Sequence, residues 1–369
     1  MEDLHRTALL IASALFGACL GSFLNVCIYR LPRESLSVSS PPRSFCPSCG
    51  NRIRWGDNIP LLSWIVLGGR CRFCHAPISM RYLLVEALTG VLFATVAARQ
   101  LAQSPLSLAA WAVMTLFVAA LVVASFIDWD LRIIPDEITI GGMIVAPLAA
   151  LAVPELHSRP VDGSVSWLLV ALVEPVERVA AVLPGGLREG PLAILLAAVL
   201  ALAGGAAGLY GYAGYWRITR GSWRPLRTGA LAAALGALAA ATATLCVLRP
   251  ELLLSVRVQS LAAALAGMLA GSSLVLLVGV VGTRIFRKPA MGFGDVKLMG
   301  LLGAFTGWAG VLLGFFVACL AGSVVGIFLL VRYRNRYLPF GPFLALGCLT
   351  VLLWPEALQA AMDWYRGLF

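Results

Sequence analysis

The sequence predicts an all-α polytopic membrane protein with one small polar module between its first two spans. Of the 369 residues, 60% are hydrophobic and 12% are charged, whereas soluble proteins have roughly 45–50% and about 25%. Apolar runs of near-spanning length recur along the chain, and basic residues gather in alternate loops between them. These three observations exclude a freely soluble enzyme.

The apolar runs indicate about ten transmembrane helices. A bilayer core of about 30 Å requires on the order of 20 apolar residues in a helix. The first run follows a mainly acidic flank and is too long for the apolar part of a signal peptide, so we retain it as a helix. Gly310 only weakly divides the eighth run from the ninth. The runs occupy residues 8–28, 83–98, 108–127, 138–153, 191–215, 229–248, 258–283, 298–310, 311–331 and 340–355.

The basic residues predict the orientation of these helices. The formal net charge is +10, from 28 Lys and Arg against 18 Asp and Glu. Lys and Arg mark cytoplasmic loops, so the side with most of them is predicted to face the cytoplasm, with both termini outside. The charge is thus interpreted as a topology signal, and no nucleic-acid partner is expected. Most basic residues lie on one side of a ten-span chain, in segments 29–82, 128–137, 216–228, 284–297 and 332–339.

Four of the nine cysteines predict a metal site in the polar module. Cys46, Cys49, Cys71 and Cys74 form two CxxC pairs, with a spacing just beyond that of a zinc ribbon. Zinc favours four thiolates, and so short a module usually needs a metal or disulfides to fold. The alternative, two disulfides, requires an oxidising compartment, whereas this loop is predicted to be cytoplasmic. His75 is expected to be a bystander.

Two carboxylates at the membrane edge are the candidate catalytic groups. Asp128 directly follows the third apolar run, where an ionisable group is costly and therefore a functional candidate. Asp295 precedes the eighth run, and Gly292 and Gly294 beside it permit close backbone approach. The predicted topology puts both aspartates on the cytoplasmic face. Two neighbouring carboxylates can divide the roles of acid and base toward a water, which is the requirement of an aspartic protease.

The other acidic residues of this region have structural interpretations. Pro135 fits the first turn of the following helix, and Asp136 and Glu137 then lie where a helix N-terminus favours negative charge. Asp130 is expected to be a solvated interfacial charge. Lys297, which follows Asp295 by two residues, either biases the carboxylate pair toward ionisation or contacts lipid phosphate, and we favour the lipid contact.

Four blocks of the chain form a recognisable series. The first is GSFLNVCIYRLP, and the second is CPSCG with CRFC, followed by ISMRYLLVE. The third is DWDLRIIPD, with an Asp, six residues and Pro-Asp, and the fourth is GFGDVK, of the form GxGDxK. In these blocks and in their order the chain resembles the bacterial prepilin peptidases, also called type IV leader peptidases, which are intramembrane aspartic proteases of the GxGD class.

The resemblance implies functions for the residues in these blocks. Asp128 and Asp295 would be the catalytic pair, and the four cysteines would hold a structural Zn²⁺. The supporting motif residues would be Gly292, Gly294, Lys297, Pro135 and Asp136.

The resemblance also implies the reaction and its place in the cell. Substrates would be precursors of type IV pilins and of type II secretion pseudopilins, cut after a glycine that ends a short basic leader. Cleavage would occur at the cytoplasmic face of the bacterial inner membrane. Family members with the cysteine module usually methylate the new N-terminus with S-adenosylmethionine. No dinucleotide-type glycine fingerprint follows a strand here, so methylation rests on the resemblance alone.

The chain departs from the family in its middle. Family members have eight spans, so the runs 191–215 and 229–248 are predicted to be an inserted pair. The predicted regions are a first helix, a zinc module, spans with the first catalytic Asp, an insertion with an outer amphipathic segment, and spans with the GxGD motif. They cover residues 1–28, 29–82, 83–153, 154–257 and 258–369.

Two functions of other classes stay open at this point. One is a transporter whose carboxylates bind cations and whose zinc module is regulatory, but transport predicts acids near the middle of the spans. The other is an assembly scaffold of a secretion system, which would tolerate loss of both aspartates.

Overall fold

Helices are the regular elements of the computed structural model, and the polar module consists mainly of turns and loops. The structure describes residues 2–33, 37–39, 44–102, 106–156, 256–288, 290–333, 338–356 and 360. The predicted spans 191–215 and 229–248, and nearly all of the predicted outer segment, lie outside the described residues. Within them there is no strand; two isolated β-bridges occur in the polar module. The α-helices are α1 (Glu2–Arg30), α2 (Leu62–Val66), α3 (Met80–Leu101), α4 (Leu108–Leu131), α5 (Asp136–Ala152), α6 (Val256–Phe286), α7 (Phe293–Tyr333) and α8 (Gly341–Leu353).

Five of these helices are long and apolar enough to cross a membrane, namely α1, α3, α4, α6 and α7. They cover the predicted first, second, third and seventh spans and the predicted pair 298–331. Helices α5 and α8, which cover the predicted spans 138–153 and 340–355, have 17 and 13 residues. At 1.5 Å per residue both are shorter than a bilayer core of about 30 Å. The described residues therefore show a helical chain with five candidate membrane spans.

Helix α7 corrects the predicted boundary between two spans. The sequence placed a weak division at Gly310, but the backbone leaves the helical conformation at Gly307, with φ 71° and ψ 175°. This left-handed region is open to glycine and disfavoured for residues with a Cβ. The chain therefore kinks three residues earlier than predicted, and helical segments continue on both sides of the kink.

Two compact units contain the described elements. The first consists of residues 1–139, 275–298 and 312–369, and it includes the polar module and both candidate aspartates. Of the described residues, the second contains 140–156, 256–274 and 299–311.

In the first unit, α1 packs closely against α3 because small residues face each other. A Cβ added at Gly17 would lie 2.8 Å from the carbonyl oxygen of Thr89. Such stripes of small residues allow helix backbones to approach closely in membranes. The hydroxyl of Ser13 donates to the Phe93 carbonyl at 2.9 Å and accepts from Nε1 of Trp111 at 3.1 Å, which joins α1, α3 and α4.

In the second unit, the described parts of α5, α6 and α7 also approach one another closely at glycines. Gly267 of α6 and Gly303 of α7 face each other so closely that a Cβ on either would overlap the backbone of the other. Gly142 of α5 packs on the side chain of Leu301. Glycine is required at 267 and 303 because a side chain at either position would separate the two helix backbones.

This packing predicts a contrast between two substitutions in the second unit. Gly303→Ala should lower the thermal unfolding midpoint of the purified protein, because the added methyl meets rigid backbone and overpacking costs about 1–3 kcal/mol. Gly141→Ala should leave the midpoint unchanged or raise it slightly, because nothing lies within 4 Å of its new Cβ. Equal midpoints for the two variants would contradict the close approach of α6 and α7.

Candidate active site and metal centre

Asp128 lies in the last turn of α4, which ends at Leu131. The next residues include Arg132, which has a left-handed backbone (φ 58°) and donates its N–H to the Asp128 carbonyl at 2.8 Å. The Asp128 residue is 6% exposed. Its Oδ2 accepts a hydrogen bond from the backbone N–H of Gly341 at 2.9 Å. This amide compensates part of the hydration that the carboxylate loses on burial.

Gly341, which the sequence analysis did not single out, is shaped to receive this carboxylate. A Cβ at this position would lie 2.7 Å from Oδ2 of Asp128 and 3.3 Å from Cδ1 of Ile134. The sequence signal was the Gly-Pro pair at the start of an apolar run, since Pro342 lies in the first turn of α8. That signal predicts a helix start, but not the partner of its amide.

Asp295 lies in the first turn of α7, three residues after Gly292. The backbone N–H of Gly292 lies close to the Asp295 carboxylate. A Cβ on Gly292 would lie 3.3 Å from Oδ2 of Asp295, and one on Gly294 would lie 3.3 Å from Cβ of Ile134. The two glycines therefore let the loop close over the carboxylate and let Ile134 approach.

The structure brings the two candidate aspartates together within the first unit. Asp295 lies near enough to Asp128 for the two carboxylates to repel each other electrostatically. Asp128 lies at the end of α4 and Asp295 at the beginning of α7. A pair of this kind cannot hold two charges freely, so it can bind one shared proton.

Lys297 contacts protein, which corrects the predicted lipid contact. Its Nζ forms an ion pair with Asp136 and lies 5.2 Å from the centroid of the Phe293 ring. The Lys297 side chain is 5% exposed, whereas that of Asp136 is 34% exposed. A buried ammonium needs an anionic partner inside the protein, and Asp136 provides it.

Two acidic residues that follow Asp128 lie at the predicted helix start, and a third forms an ion pair. Asp136 and Glu137 are in the first turn of α5. Pro135 directly precedes this helix, and its carbonyl accepts the Thr139 N–H at 3.2 Å. Asp130 was expected to be a solvated charge; it is 35% exposed at its side chain and is ion-paired with Arg81 of α3.

The four predicted ligand cysteines form one cluster. Their sulfur atoms lie within 4.8 Å of one another, and all four cysteines are free thiols. The Sγ atoms of Cys46 and Cys74 are 3.9 Å apart. Four thiolates around one zinc at about 2.3 Å have sulfur atoms about 3.8 Å apart. The cluster therefore fits a tetrahedral metal ion and could hold one.

Two matching turns present these sulfur atoms. Cys46 N–H donates to the Asn51 carbonyl at 2.9 Å, and Cys71 N–H donates to the Ala76 carbonyl at 2.9 Å. Gly50 and His75 occupy equivalent places after each CxxC, and both have left-handed backbones, with φ 70° and 55°. His75 is therefore a turn residue, and it is not part of the cluster of possible metal ligands.

Backbone amides favour the thiolate form at one of these positions. The N–H groups of Cys74 and Phe73 point at the Cys71 sulfur and lower the pKa of this thiol to about 7. A metal ligand has to be deprotonated, so this turn is suited to metal binding. Nearby, hydrogen bonds from Arg72, at 2.8 and 3.0 Å from Nε, lower the pKa of Asp57.

Contacts from the membrane helices hold the polar module. The buried carboxylate of Glu86 in α3 accepts the Leu61 N–H at 2.8 Å. Leu61 has a left-handed backbone (φ 62°). Within the module itself, Nε1 of Trp64 donates to the Ile78 carbonyl at 3.2 Å. The module is thus fixed to α3 by a buried acceptor as well as by chain connectivity.

The segments with these sites match two protein families. Residues 15–100 match the bacterial peptidase A24 N-terminal domain, and residues 230–327 match the type IV leader peptidase family. The first match contains the four cysteines and the second contains Asp295, whereas Asp128 lies between them. The second match begins inside segment 154–257, which the sequence analysis interpreted as an insertion.

Relatives with curated names extend over nearly the whole chain. A prepilin leader peptidase/N-methyltransferase of Aeromonas hydrophila is 29% identical over 377 residues, which covers 95% of this chain and 91% of that protein. The Pseudomonas aeruginosa protein of the same name is 27% identical over 396 residues, covering 98% and 96%. One from Myxococcus xanthus is 46% identical over 140 residues, but the match covers only 38% of this chain and 39% of that protein. No solved structure matches the chain significantly.

The ion pair beside the aspartates predicts a stability difference between two adjacent acids. Asp136→Asn should destabilise the protein by about 1–2 kcal/mol, because the buried Lys297 ammonium loses this carboxylate. Glu137→Gln is the matched control, since Glu137 is exposed and should contribute little. Thermal unfolding of the two purified variants measures the difference. A midpoint for Asp136→Asn equal to that of Glu137→Gln would show that the pair does not stabilise the fold.

Proposed function

Because residues 230–327 match the type IV leader peptidase family, we propose that the chain is a prepilin peptidase whose catalytic groups are Asp128 and Asp295. The observation that carries this proposal is the pairing of two carboxylates from different helices. Asp128 accepts a hydrogen bond from the Gly341 N–H, and Asp295 lies beside the Gly292 N–H. Asp128 belongs to the DWDLRIIPD block and Asp295 to the GFGDVK block. Family motif and geometry thus point to the same two residues.

The arrangement is suited to hydrolysis by an activated water. The two aspartates share one proton, because adjacent charges disfavour double ionisation. The ionised carboxylate takes a proton from water, and the resulting nucleophile attacks the scissile carbonyl. The protonated carboxyl polarises that carbonyl and then protonates the leaving amine. The amide of Gly341 holds the Asp128 carboxylate in place for these steps.

The proposed substrates are type IV prepilins and type II secretion pseudopilins, cut after the glycine that ends a basic leader. Such a substrate has an apolar helix, which would lie among the spans in contact with lipid, while its leader stays in water. A scissile bond at that junction would reach the membrane edge. Both aspartates lie at helix ends in the described structure, which supports cleavage at the edge.

We propose that this edge is the cytoplasmic face of the bacterial inner membrane. The loops at 29–82, 128–137 and 284–297 contain the polar module and both aspartates, and basic residues are concentrated in the first and third of them. The full chain would have ten spans, with an inserted pair in 154–257. An even number of added helices keeps Asp295 on the same side as Asp128. An oligomeric state is not part of this proposal.

The cysteine cluster is proposed to hold a structural Zn²⁺. Four thiolates that close a tetrahedron leave no position for a substrate, which is the pattern of structural zinc sites. Zinc would therefore stabilise the small module. Methylation of the new N-terminus with S-adenosylmethionine completes the proposed activity, as in relatives named for both activities.

Transport and scaffolding fit the structure less well. Substrate sites of transporters lie near the bilayer midplane, on broken helices, whereas these aspartates lie at helix ends. A scaffold has no need for two carboxylates held close together. We therefore propose neither transport nor scaffolding for this chain.

Removal of either carboxyl charge should abolish cleavage. Asp128→Asn and Asp295→Asn should each lower the rate of leader removal by at least about 10³-fold, because the two groups act as a unit. Purified prepilin incubated with each variant in detergent gives the rate, and unchanged thermal midpoints show that the variants are folded. Glu137→Gln, in the neighbouring helix, should cleave normally. Near-normal cleavage by Asp295→Asn would remove the proposed mechanism.

Substitution of one CxxC pair should release the metal. Wild-type protein should contain about one zinc per chain by elemental mass spectrometry, and the double variant Cys46→Ser, Cys49→Ser should contain almost none. Cys19→Ser in α1 is the matched control, and it should keep its zinc. Full zinc occupancy in the double variant would refute the four-cysteine site.

A further inference from the structure

The polar module contains a segment without charged residues, 59–67, which we call the anchor segment. Its sequence is IPLLSWIVL, and it includes α2. Three large apolar side chains of α2 are exposed, at 59% for Leu62, 62% for Ile65 and 77% for Val66. Their spacing of three and four residues puts them on one face of the helix. An exposed apolar stripe of this kind favours a partner that is itself apolar.

Polar groups of the anchor segment have their hydrogen-bond partners inside the protein. The Ser63 hydroxyl and the Ser63 N–H both donate to the Ile59 carbonyl. Nε1 of Trp64 donates to a carbonyl of the module, and the Leu61 N–H donates to the buried carboxylate of Glu86. A segment in water has no need of such pairing, because water supplies the hydrogen bonds. A segment in lipid requires it, because lipid supplies none.

The start of the anchor helix lies beside two membrane helices and not beyond their ends. Glu86, which accepts the Leu61 N–H, is six residues inside α3, or about 9 Å from the helix start at 1.5 Å per residue. A Cβ on Gly21 of α1 would lie 2.8 Å from Cα of Glu86, and Gly21 is nine residues before the end of that helix. Both helices are candidate spans. Leu61 is therefore at the level of their turns nearest the module, and interfacial segments bury apolar side chains about 5–10 Å into a membrane.

Charged residues flank the anchor segment on both sides. Arg54 and Asp57 precede it, and Arg70 follows it by three residues. Both arginines are exposed. Basic side chains next to an apolar segment are suited to the phosphates of lipid headgroups. The order of the residues is thus that of a segment that enters the surface of a membrane and leaves it again.

We propose that α2 is a lipid anchor of the polar module: the side chains of Leu62, Ile65 and Val66 insert among the acyl chains of the membrane that α1 and α3 span. The occupant of the apolar face is lipid, because internal pairing of polar groups and a position beside α3 suit lipid. A second copy of the chain is the competing occupant. The proposal goes beyond the peptidase and does not depend on it. Since Val66 is five residues before Cys71, the anchor would hold one turn of the cysteine cluster near the membrane surface.

The accessibility of a thiol at position 66 tests this lipid contact. Full-length Val66→Cys and Lys288→Cys are each placed in phosphatidylcholine nanodiscs that hold one chain, and a charged maleimide that does not enter lipid is added. Peptide mass spectrometry distinguishes the new thiol from the native cysteines. Val66→Cys should react at least about 10-fold more slowly, because the thiolate is the reactive form and apolar surroundings disfavour it. Lys288, exposed in the loop between α6 and α7, is the matched control.

Two results of these experiments would overturn the proposal. One is an equal rate for the two variants, both folded by their thermal midpoints, since a thiol in water reacts freely. The other is a disulfide-linked dimer through position 66 when Val66→Cys is reconstituted at several chains per vesicle, which would make a second copy the occupant.

A second measurement uses the wild-type protein. Phosphatidylcholine with a photoreactive diazirine on its acyl chain is activated in the nanodisc, and the labelled peptides are mapped by mass spectrometry. Label on residues 62–66 should be comparable with label on Leu15, which is 63% exposed in the candidate span α1. Label on Leu15 with none on residues 62–66 would overturn the proposal, even if Val66→Cys proved unstable.

Discussion

A carboxylate at the edge of a hydrocarbon layer can function only if protein dipoles replace the water that it has lost. Asp128 is buried at the end of α4, and the amide of Gly341 supplies such a dipole. The N–H of Gly292 lies beside the Asp295 carboxylate. Glycine suits both positions because a Cβ on Gly341 would lie 2.7 Å from Oδ2 of Asp128, and one on Gly292 would lie 3.3 Å from Oδ2 of Asp295. The start of α8 and the loop before α7 therefore have the backbone positions that the Asp128 and Asp295 carboxylates need near them.

Other contacts of the first unit hold these dipoles in position. Ile134 is 7% exposed, and its side chain would meet a Cβ at either Gly294 or Gly341, at 3.3 Å in both cases. It thus lies between the two glycine segments and sets their separation. The ion pair of Lys297 with Asp136 fixes the start of α7 against the start of α5. The polar module is attached in turn through Glu86 and Leu61. Preorganised groups of this kind need no rearrangement during reaction.

Local sequence patterns predicted the cluster of four cysteines, the approach of the two aspartates and most helices in the described part. These features depend on short spacings, such as CxxC and GxGD, or on long apolar runs. Gly341 and Ile134 escaped the analysis because their importance depends on partners far along the chain: Gly341 binds a residue 213 positions away. Lys297 was assigned to lipid because sequence alone does not show that Asp136 faces it. The kink at Gly307 was missed for a similar reason, since one glycine in an apolar run of many does not mark its backbone angle.

The account depends most on the contact between the Gly341 amide and Asp128, and the rate of leader cleavage by Gly341→Ala tests it directly. The new Cβ would lie 2.7 Å from Oδ2, the free end of a side chain, so the carboxylate should move while the fold survives. A displacement of about 1 Å at a catalytic group can lower the rate by roughly 10²-fold. The account predicts such a loss with an unchanged thermal midpoint. Gly322→Ala, whose Cβ would have only ordinary contacts at 3.6 Å and beyond, should cleave normally. Equal cleavage rates for the two variants would contradict the proposal that Asp128, held by Gly341, is a catalytic group.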